Sequence, residues 1–146
     1  MKRTLVIASD HAGYEMKRSL IKHLEQKGYE VTDLGTDSPE PVNYPDFGHP
    51  LAEAVESGKY RFGISICGSG NGINMVTNKH QGISGALCWS EEISAVARKH
   101  NDANICSLPA RFIDLPTAIK IVDVFLTTDY EGGRHDIRIR HIPIQT

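Results

Sequence analysis

An apolar run passes directly into a glycine-rich turn at Phe62-Gly63-Ile64-Ser65-Ile66-Cys67-Gly68-Ser69-Gly70-Asn71-Gly72-Ile73-Asn74-Met75-Val76. The first five residues are typical of a buried strand, and the last four are typical of the start of a helix. The glycines between them allow a tight backbone turn that directs several N–H groups at one point. A strand that passes into a helix in this way indicates the β-α unit of an α/β fold.

The same alternation extends along the chain on both sides of this turn. Strands are predicted at residues 4–8, 29–34, 62–66, 83–88 and 104–108. Helices are predicted at residues 12–27, around 51–55, from 73 onward, at 90–99 and at 114–127. The inward face of the last helix is predicted to carry Leu115, Ala118, Ile119, Val122 and Leu126. This pattern predicts one three-layer α/β/α domain over residues 1–146, with a five-stranded parallel sheet.

Composition limits the classes of function. The chain has 146 residues, enough for one domain with a substantial core, and its net charge of −2 argues against non-specific nucleic-acid binding. No apolar stretch is long enough to cross a bilayer, so no membrane partner is expected. Cys67, Cys88 and Cys106 are odd in number and lie in or beside apolar segments. They predict free thiols in a reducing, cytoplasmic compartment.

The turn from Gly68 to Gly72 could bind an anion and stabilise the thiolate of the preceding cysteine. Backbone N–H groups and the positive end of a following helix attract anions and favour the thiolate form of Cys67. The segment is equally typical of an inert buried cysteine beside a tightly packed turn. Neither the spacing of a dinucleotide fingerprint nor the Gly-Lys-Ser/Thr of a Walker A loop is present.

Polar residues flank three of the predicted strands. They occur in Ser9-Asp10-His11-Ala12-Gly13, in the cysteine turn, and on either side of strand five in Lys99-His100-Asn101-Asp102-Ala103 and Pro109-Ala110-Arg111-Phe112. Each also has a structural interpretation: Asp10 as a helix N-cap, His100 and Asn101 as a helix stop, Arg111 as a surface charge. Ligands bind outside the carboxyl ends of parallel strands, so together these groups predict a site for a phosphorylated sugar.

The sequence of the C-terminal tail is compatible with more than one conformation. Gly132-Gly133 interrupt the chain before a basic cluster that contains Arg134, His135, Arg138, Arg140 and His141. In a helix, Arg134 and Arg138 would share one face. The alternation of Ile137 and Ile139 with arginines fits a strand as well, and a solvated basic end is a third interpretation.

Five motifs together resemble the type B ribose-5-phosphate isomerases, which share a wider family with the galactose-6-phosphate isomerase subunits. They are Ser9-Asp10-His11-Ala12-Gly13, Asn43-Tyr44-Pro45-Asp46, Cys67-Gly68-Ser69-Gly70-Asn71-Gly72, His100-Asn101-Asp102-Ala103-Asn104 and Gly132-Gly133-Arg134-His135. The resemblance implies a Rossmann-like fold, no cofactor and no metal. It also implies a homodimer or homotetramer whose active site is shared between subunits, with the tail from about residue 130 to 146 at the interface.

The resemblance also implies a role for each matching residue. Cys67 would be the base, while Asp10 and the neighbouring subunit's counterpart of His100 would open the sugar ring. Ser69 and the backbone of the turn would stabilise the oxyanion. The binding residues implied are Gly68, Gly70, Asn71 and Gly72 around the oxyanion, Tyr44 and Asn101 lining the pocket, and His11, Arg111, Arg134 and Arg138 at the phosphate.

The expected activity is aldose–ketose isomerisation between D-ribose 5-phosphate and D-ribulose 5-phosphate, in the non-oxidative pentose phosphate pathway. An allose- or galactose-6-phosphate isomerase and a non-catalytic sugar-phosphate-binding module are the alternatives. The presence of the Asp10-His11 pair and of Cys67 favours the pentose enzyme. Ile137 departs from the family, since many members carry a further arginine there.

Overall fold

Five parallel strands form the centre of the computed structural model, which describes residues 3–145. The strands are β1 (Arg3–Ser9), β2 (Tyr29–Asp33), β3 (Gly63–Cys67), β4 (Gly85–Leu87) and β5 (Ile105–Pro109). Their order across the sheet is β2-β1-β3-β5-β4, and every neighbouring pair is parallel. The predicted five-stranded parallel sheet is confirmed.

Helices cover both faces of this sheet. They are α1 (Tyr14–Gln26), α2 (Pro45–Glu56), α3 (Asn71–Thr77), α4 (Glu91–Asn101), α5 (Leu115–Thr127) and α6 (His135–Arg140), and a short 3-10 turn (His11–Gly13) precedes α1. Helices α1, α4 and α5 pack together on one face, and α2 packs with α3 on the other. The predicted three-layer α/β/α arrangement is therefore confirmed.

The core is divided by the sheet into two apolar layers. Along β1, Leu5 and Ile7 face the α1–α4–α5 layer, whereas Val6 and Ala8 face the layer of α2. All five residues of β3 are buried, because a central parallel strand has helices on both sides. This explains why the stretch that carries Cys67 is a continuous apolar run rather than an alternating one.

Two local predictions need correction. Helix α3 begins at Asn71 rather than near Ile73, because Gly70 adopts the left-handed conformation (φ 74°) and turns the chain into the helix at once. Helix α5 buries Ile121 and Phe125 completely. The predicted inward residues Leu115, Ile119 and Leu126 are only partly buried, so the apolar face is rotated from the one predicted.

The tail is helical rather than extended. Gly132 and Gly133 both have positive φ, and α6 begins two residues later. Arg134 immediately precedes the helix and lies one turn before Arg138. Within residues 3–145, no helix is long and apolar enough to cross a membrane.

The strand order creates a crevice at one edge of the sheet. From β1 the chain moves outward to β2, and it then crosses back to place β3 on the other side of β1. The connections that leave the carboxyl ends of β1 and β3 therefore diverge to opposite faces. Such a switch point is where open parallel sheets bind ligands.

Candidate active site

A cleft of about 380 Å³ lies at this switch point. It is lined by Asp10, Tyr44, Cys67, Gly68, Ser69, Gly72, Arg111 and Phe112. Asp10 directly follows β1 and Cys67 ends β3. The structure thus brings together, in a single subunit, most of the residues that the sequence places around the cysteine.

Cys67 is held rigidly at the base of the cleft. Its side chain is almost fully buried, with 4% exposure. Its carbonyl oxygen accepts a hydrogen bond from the Ala110 N–H at 2.9 Å, and the Gly68 carbonyl accepts one from the Arg111 N–H at 2.9 Å. These two bonds tie the cysteine turn to the segment after β5, and they bring Arg111 over the turn.

The glycines of the turn are required by close contacts. A Cβ on Gly70 would lie 2.5 Å from Leu87 Cδ1, and one on Gly72 would lie 2.5 Å from the Tyr44 ring. A Cβ on Gly68 would lie 3.2 Å from the Arg111 side chain. The Ser69 hydroxyl accepts a hydrogen bond from the Asn71 N–H at 3.2 Å. The turn therefore packs directly against Tyr44 and Arg111, which line the same cleft.

Asp10 both caps the turn before α1 and lines the cleft. Its Oδ1 accepts a hydrogen bond from the Gly13 N–H at 3.2 Å, so it caps the short turn before α1 as one interpretation predicted. Among residues 3–145, no hydrogen bond reaches its Oδ2. Asp10 therefore lines the cleft with one carboxylate oxygen available to a ligand.

His11 lies beside the cleft without lining it. Its Nδ1 accepts a hydrogen bond from the Val42 N–H at 3.1 Å. A ring nitrogen that accepts is unprotonated, so in the neutral ring the proton resides on Nε2. His11 is thereby set to donate through Nε2.

The other predicted site residues lie at the opposite edge of the sheet. Helix α4 runs back from the end of β4 to the start of β5, and His100 and Asn101 are its last two residues. They therefore lie at the amino edge of the sheet, away from the cleft of their own subunit. Arg134 and Arg138 are on this far side as well, since the Glu131 N–H donates to the Lys99 carbonyl at 3.0 Å. A five-residue strand separates the two edges by about 16 Å.

His100 stacks on His135 at this far edge. The ring centroids are 4.4 Å apart and the planes are inclined by 16°. Burial lowers the pKa of His135, and the nearby positive charge of Arg134 and the ring of His100 lower it further. Within the basic cluster of the tail, His135 is buried, whereas Arg134, Arg138, Arg140 and His141 are exposed to solvent.

Phe112 is the cleft residue that the sequence did not single out as a ligand contact. Its side chain is 76% exposed at the rim beside Arg111. An aromatic residue after a strand is ordinarily predicted to enter the core, so no sequence signal marks it. Cys88 and Cys106, in contrast, are buried in the core away from the cleft, and burial raises the pKa of Cys106 well above its usual value.

Comparison with known proteins gives consistent matches along the whole chain. The family described as Ribose/Galactose Isomerase matches residues 5–142. A relative from Mycoplasma pneumoniae, named a probable ribose-5-phosphate isomerase B, is 44% identical over 143 residues, which cover 97% of this chain and 94% of the relative.

Two solved structures share the fold closely. Ribose-5-phosphate isomerase B from Clostridium thermocellum superposes with a TM-score of 0.94 at 46% identity, covering 95% of this chain and 94% of that one. The enzyme of that name from Mycoplasma genitalium, solved with bound ribulose-5-phosphate, has a TM-score of 0.93 at 42% identity, with 97% and 95% covered.

Proposed function

The chain belongs to the Ribose/Galactose Isomerase family, which makes it a sugar-phosphate isomerase, and we propose that it interconverts D-ribose 5-phosphate and D-ribulose 5-phosphate. The observation that carries the proposal is the Cys67 cleft at the β1/β3 switch point. It occurs in a chain that is 42% identical to a protein solved with bound ribulose-5-phosphate. The reaction moves one proton from C2 to C1 and another from O2 to O1, through an enediolate.

We assign the carbon-bound proton to Cys67. Its thiolate would remove the proton from C2 and return it to C1, and a single base over both carbons accomplishes both transfers. Cys67 ends β3, and its carbonyl oxygen is bonded to the Ala110 N–H after β5. This fixed position supports the role, because proton transfer requires a base that is held in place. The Ser69 hydroxyl and the N–H groups of the turn would stabilise the negative oxygen of the enediolate.

Ring opening needs an acid and a base, which we assign to His100 and Asp10. Asp10 lines the cleft of its own subunit, and within residues 3–145 no hydrogen bond reaches its Oδ2. His100 lies at the other edge of the sheet, about 16 Å away. We therefore propose a homodimer, or a homotetramer built from such dimers, in which one subunit supplies Cys67 and Asp10 and its partner supplies His100 and Asn101.

The same reasoning divides the phosphate site between subunits. Arg111 lines the cleft, and His11 is adjacent in sequence to the cleft residue Asp10, with its Nδ1 bonded to the Val42 N–H. Arg134 and Arg138 would come from the partner together with His100, since all three lie on the same side of the fold. Guanidinium groups suit this task, because they donate two parallel hydrogen bonds to phosphate oxygens.

Arg134→Ala and Arg138→Ala are each expected to raise KM for ribose 5-phosphate by about 10- to 100-fold, through loss of charge-assisted hydrogen bonds worth about 1.5–3 kcal/mol each. Lysine at either position should restore only part of the affinity, because its ammonium group keeps the charge but cannot donate the two parallel hydrogen bonds of a guanidinium. Steady-state kinetics of the purified variants measures both effects.

Arg140→Ala is the matched control for this pair. Arg140 is an exposed arginine of the same helix, two residues beyond Arg138 and on a different face. Its KM should stay near that of the parent. A large rise in KM for Arg140→Ala, with none for Arg138→Ala, would contradict the helical phosphate clamp.

Substrate length is expected to decide between the pentose and hexose activities. A hexose 6-phosphate places one more carbon between the reacting centre and the phosphate, and a misplacement of about 1 Å costs about 100-fold in rate. We expect kcat/KM to be about 100-fold higher for ribose 5-phosphate than for allose 6-phosphate or galactose 6-phosphate. A preference for either hexose would overturn the assignment, and absence of all turnover would leave the non-catalytic binding module.

The three thiols also support a reducing compartment. Cys67, Cys88 and Cys106 are all free and buried. We propose that the protein acts in the cytoplasm, in the non-oxidative branch of pentose phosphate metabolism.

A further inference from the structure

Three potential metal ligands meet where α4 ends and the tail begins. They are His100, Glu131 and His135, and one ligand atom from each lies within 4.8 Å of the other two. Glu131 and His135 are one helical turn apart in sequence, and the Glu131 N–H donates to the Lys99 carbonyl at 3.0 Å. The backbone therefore fixes the position of the carboxylate-bearing segment beside His100.

One of these ligand atoms lacks a hydrogen-bond partner among residues 3–145. His135 is only 5% exposed, and its Nε2 is buried without a hydrogen bond. The closest carboxylate oxygen, Glu131 Oε2, is 3.9 Å away, which is beyond hydrogen-bond distance. A buried polar atom without a partner is rare, and here it points towards a carboxylate and a second imidazole.

We propose that His100, Glu131 and His135 form a binding site for Zn²⁺. Two imidazoles and one carboxylate are an established zinc ligand set, in which water or an anion takes the fourth position. Imidazole nitrogen selects zinc and its neighbours over Mg²⁺ and Ca²⁺, which prefer oxygen ligands. The three residues come from different segments, with His100 in α4, His135 in α6 and Glu131 in the loop before α6, so the site depends on the packing of α4 against the tail.

Binding requires two modest adjustments. Tetrahedral zinc with bonds of about 2.0–2.1 Å holds its ligand atoms about 3.3 Å apart, so the cluster must contract. Glu131 is 46% exposed and free to move inward. The ring of His100 must turn out of its stack on His135, because nearly parallel rings cannot both hold one metal in their planes. No hydrogen bond among residues 3–145 restrains the His100 side chain.

The surroundings set the expected affinity. Arg134 adjoins His135 in sequence and Arg138 follows it within one helical turn, so both place positive charge near the site and repel a cation. We therefore expect a dissociation constant in the micromolar range rather than that of a structural zinc site. A consequence that rests on the proposed function is that Zn²⁺ bound here removes His100 from ring opening and slows turnover.

Titration calorimetry with Zn²⁺ alone tests the site in the Cys67→Ser protein, since the Cys67 thiolate would otherwise bind the metal. We expect one Zn²⁺ per subunit, and about 10-fold or greater weakening when Glu131→Gln is added. Glu25→Gln, an exposed glutamate of α1, is the control and should not change binding. Loss of stoichiometric binding in Cys67→Ser, or equal binding by the Glu131→Gln and Glu25→Gln proteins, would overturn the site.

Turnover distinguishes failure of the metal site from failure of the proposed function. With Cys67 intact, any inhibition through its thiolate is the same in both proteins, so an about 10-fold higher Zn²⁺ concentration for half-inhibition of Glu131→Gln than of Glu25→Gln is expected from the proposed site. If calorimetry finds the Glu131-dependent site but the same Zn²⁺ concentration inhibits Glu131→Gln and Glu25→Gln, the site is supported and the role of His100 in ring opening is wrong.

Discussion

Replacing Cys67 by serine is expected to lower kcat for ribose 5-phosphate isomerisation by about 100-fold or more while KM changes by less than about threefold. The serine hydroxyl fills nearly the same space at the end of β3, so the turn and its contacts should persist. It is far less acidic than a thiol, however, and does not ionise at neutral pH. Steady-state kinetics gives kcat and KM, and calorimetry with ribose 5-phosphate measures binding directly.

Cys88→Ala is the control for this substitution. Cys88 is fully buried in the core at the end of β4, and it does not line the cleft. Removing its sulphur should lower the melting temperature and leave kcat near that of the parent. If Cys67→Ser turned over at the parent rate, the carbon-bound proton would have to be transferred by another group.

Mixing two inactive variants is expected to restore about one quarter of the wild-type activity. Cys67→Ala and His100→Ala should each lack turnover as homodimers. In a mixed dimer, one of the two sites combines an intact Cys67 with an intact His100 from the other subunit. Random assembly makes about half of the dimers mixed, so about one site in four is complete. Activity is measured after subunit exchange at equal concentrations.

A double variant provides the control for this experiment. Mixing Cys67→Ala with the Cys67→Ala/His100→Ala protein yields no site with an intact cysteine, and it should stay inactive. Native mass spectrometry verifies that mixed dimers have formed. Mixed dimers without activity would show that Cys67 and His100 do not act across a subunit interface, and the assignment of His100 to ring opening would be wrong.

Local sequence pattern was sufficient for the sheet and for the centre of the site. The apolar run before Cys67 must be a strand buried on both faces, and the glycines after it permit only a tight turn. The sequence predicts Asp10 and Arg111 as site residues because they lie within two residues of a strand's carboxyl end, and residues after parallel strands meet at one edge. Tyr44 was found through a motif alone, since its contact with Gly72 joins distant segments of the chain.

Other features could not be predicted from local pattern. The rotation of α5 that buries Ile121 and Phe125 depends on the shape of the packed α1–α4–α5 layer, which a helical periodicity does not specify. Phe112 is exposed because the segment after β5 is tied to the cysteine turn by hydrogen bonds. The sequence of the tail is compatible with both a strand and a helix. The helix α6 forms after Gly132 and Gly133, which both have positive φ and turn the chain.

The sequence by itself determined how strands and helices alternate along the chain up to α5, where the cysteine turn lies and which side chains could act. These features depend mainly on residues that are close together in the chain. Only the tertiary structure decided that Asp10 and Cys67 share one edge of the sheet while His100, Arg134 and Arg138 lie at the other. The reason is that each helix returns the chain to the amino end of the sheet, so position relative to the helix decides the edge. His100 is close in sequence to β5, yet it lies a full strand length from the cleft that β5 helps to form.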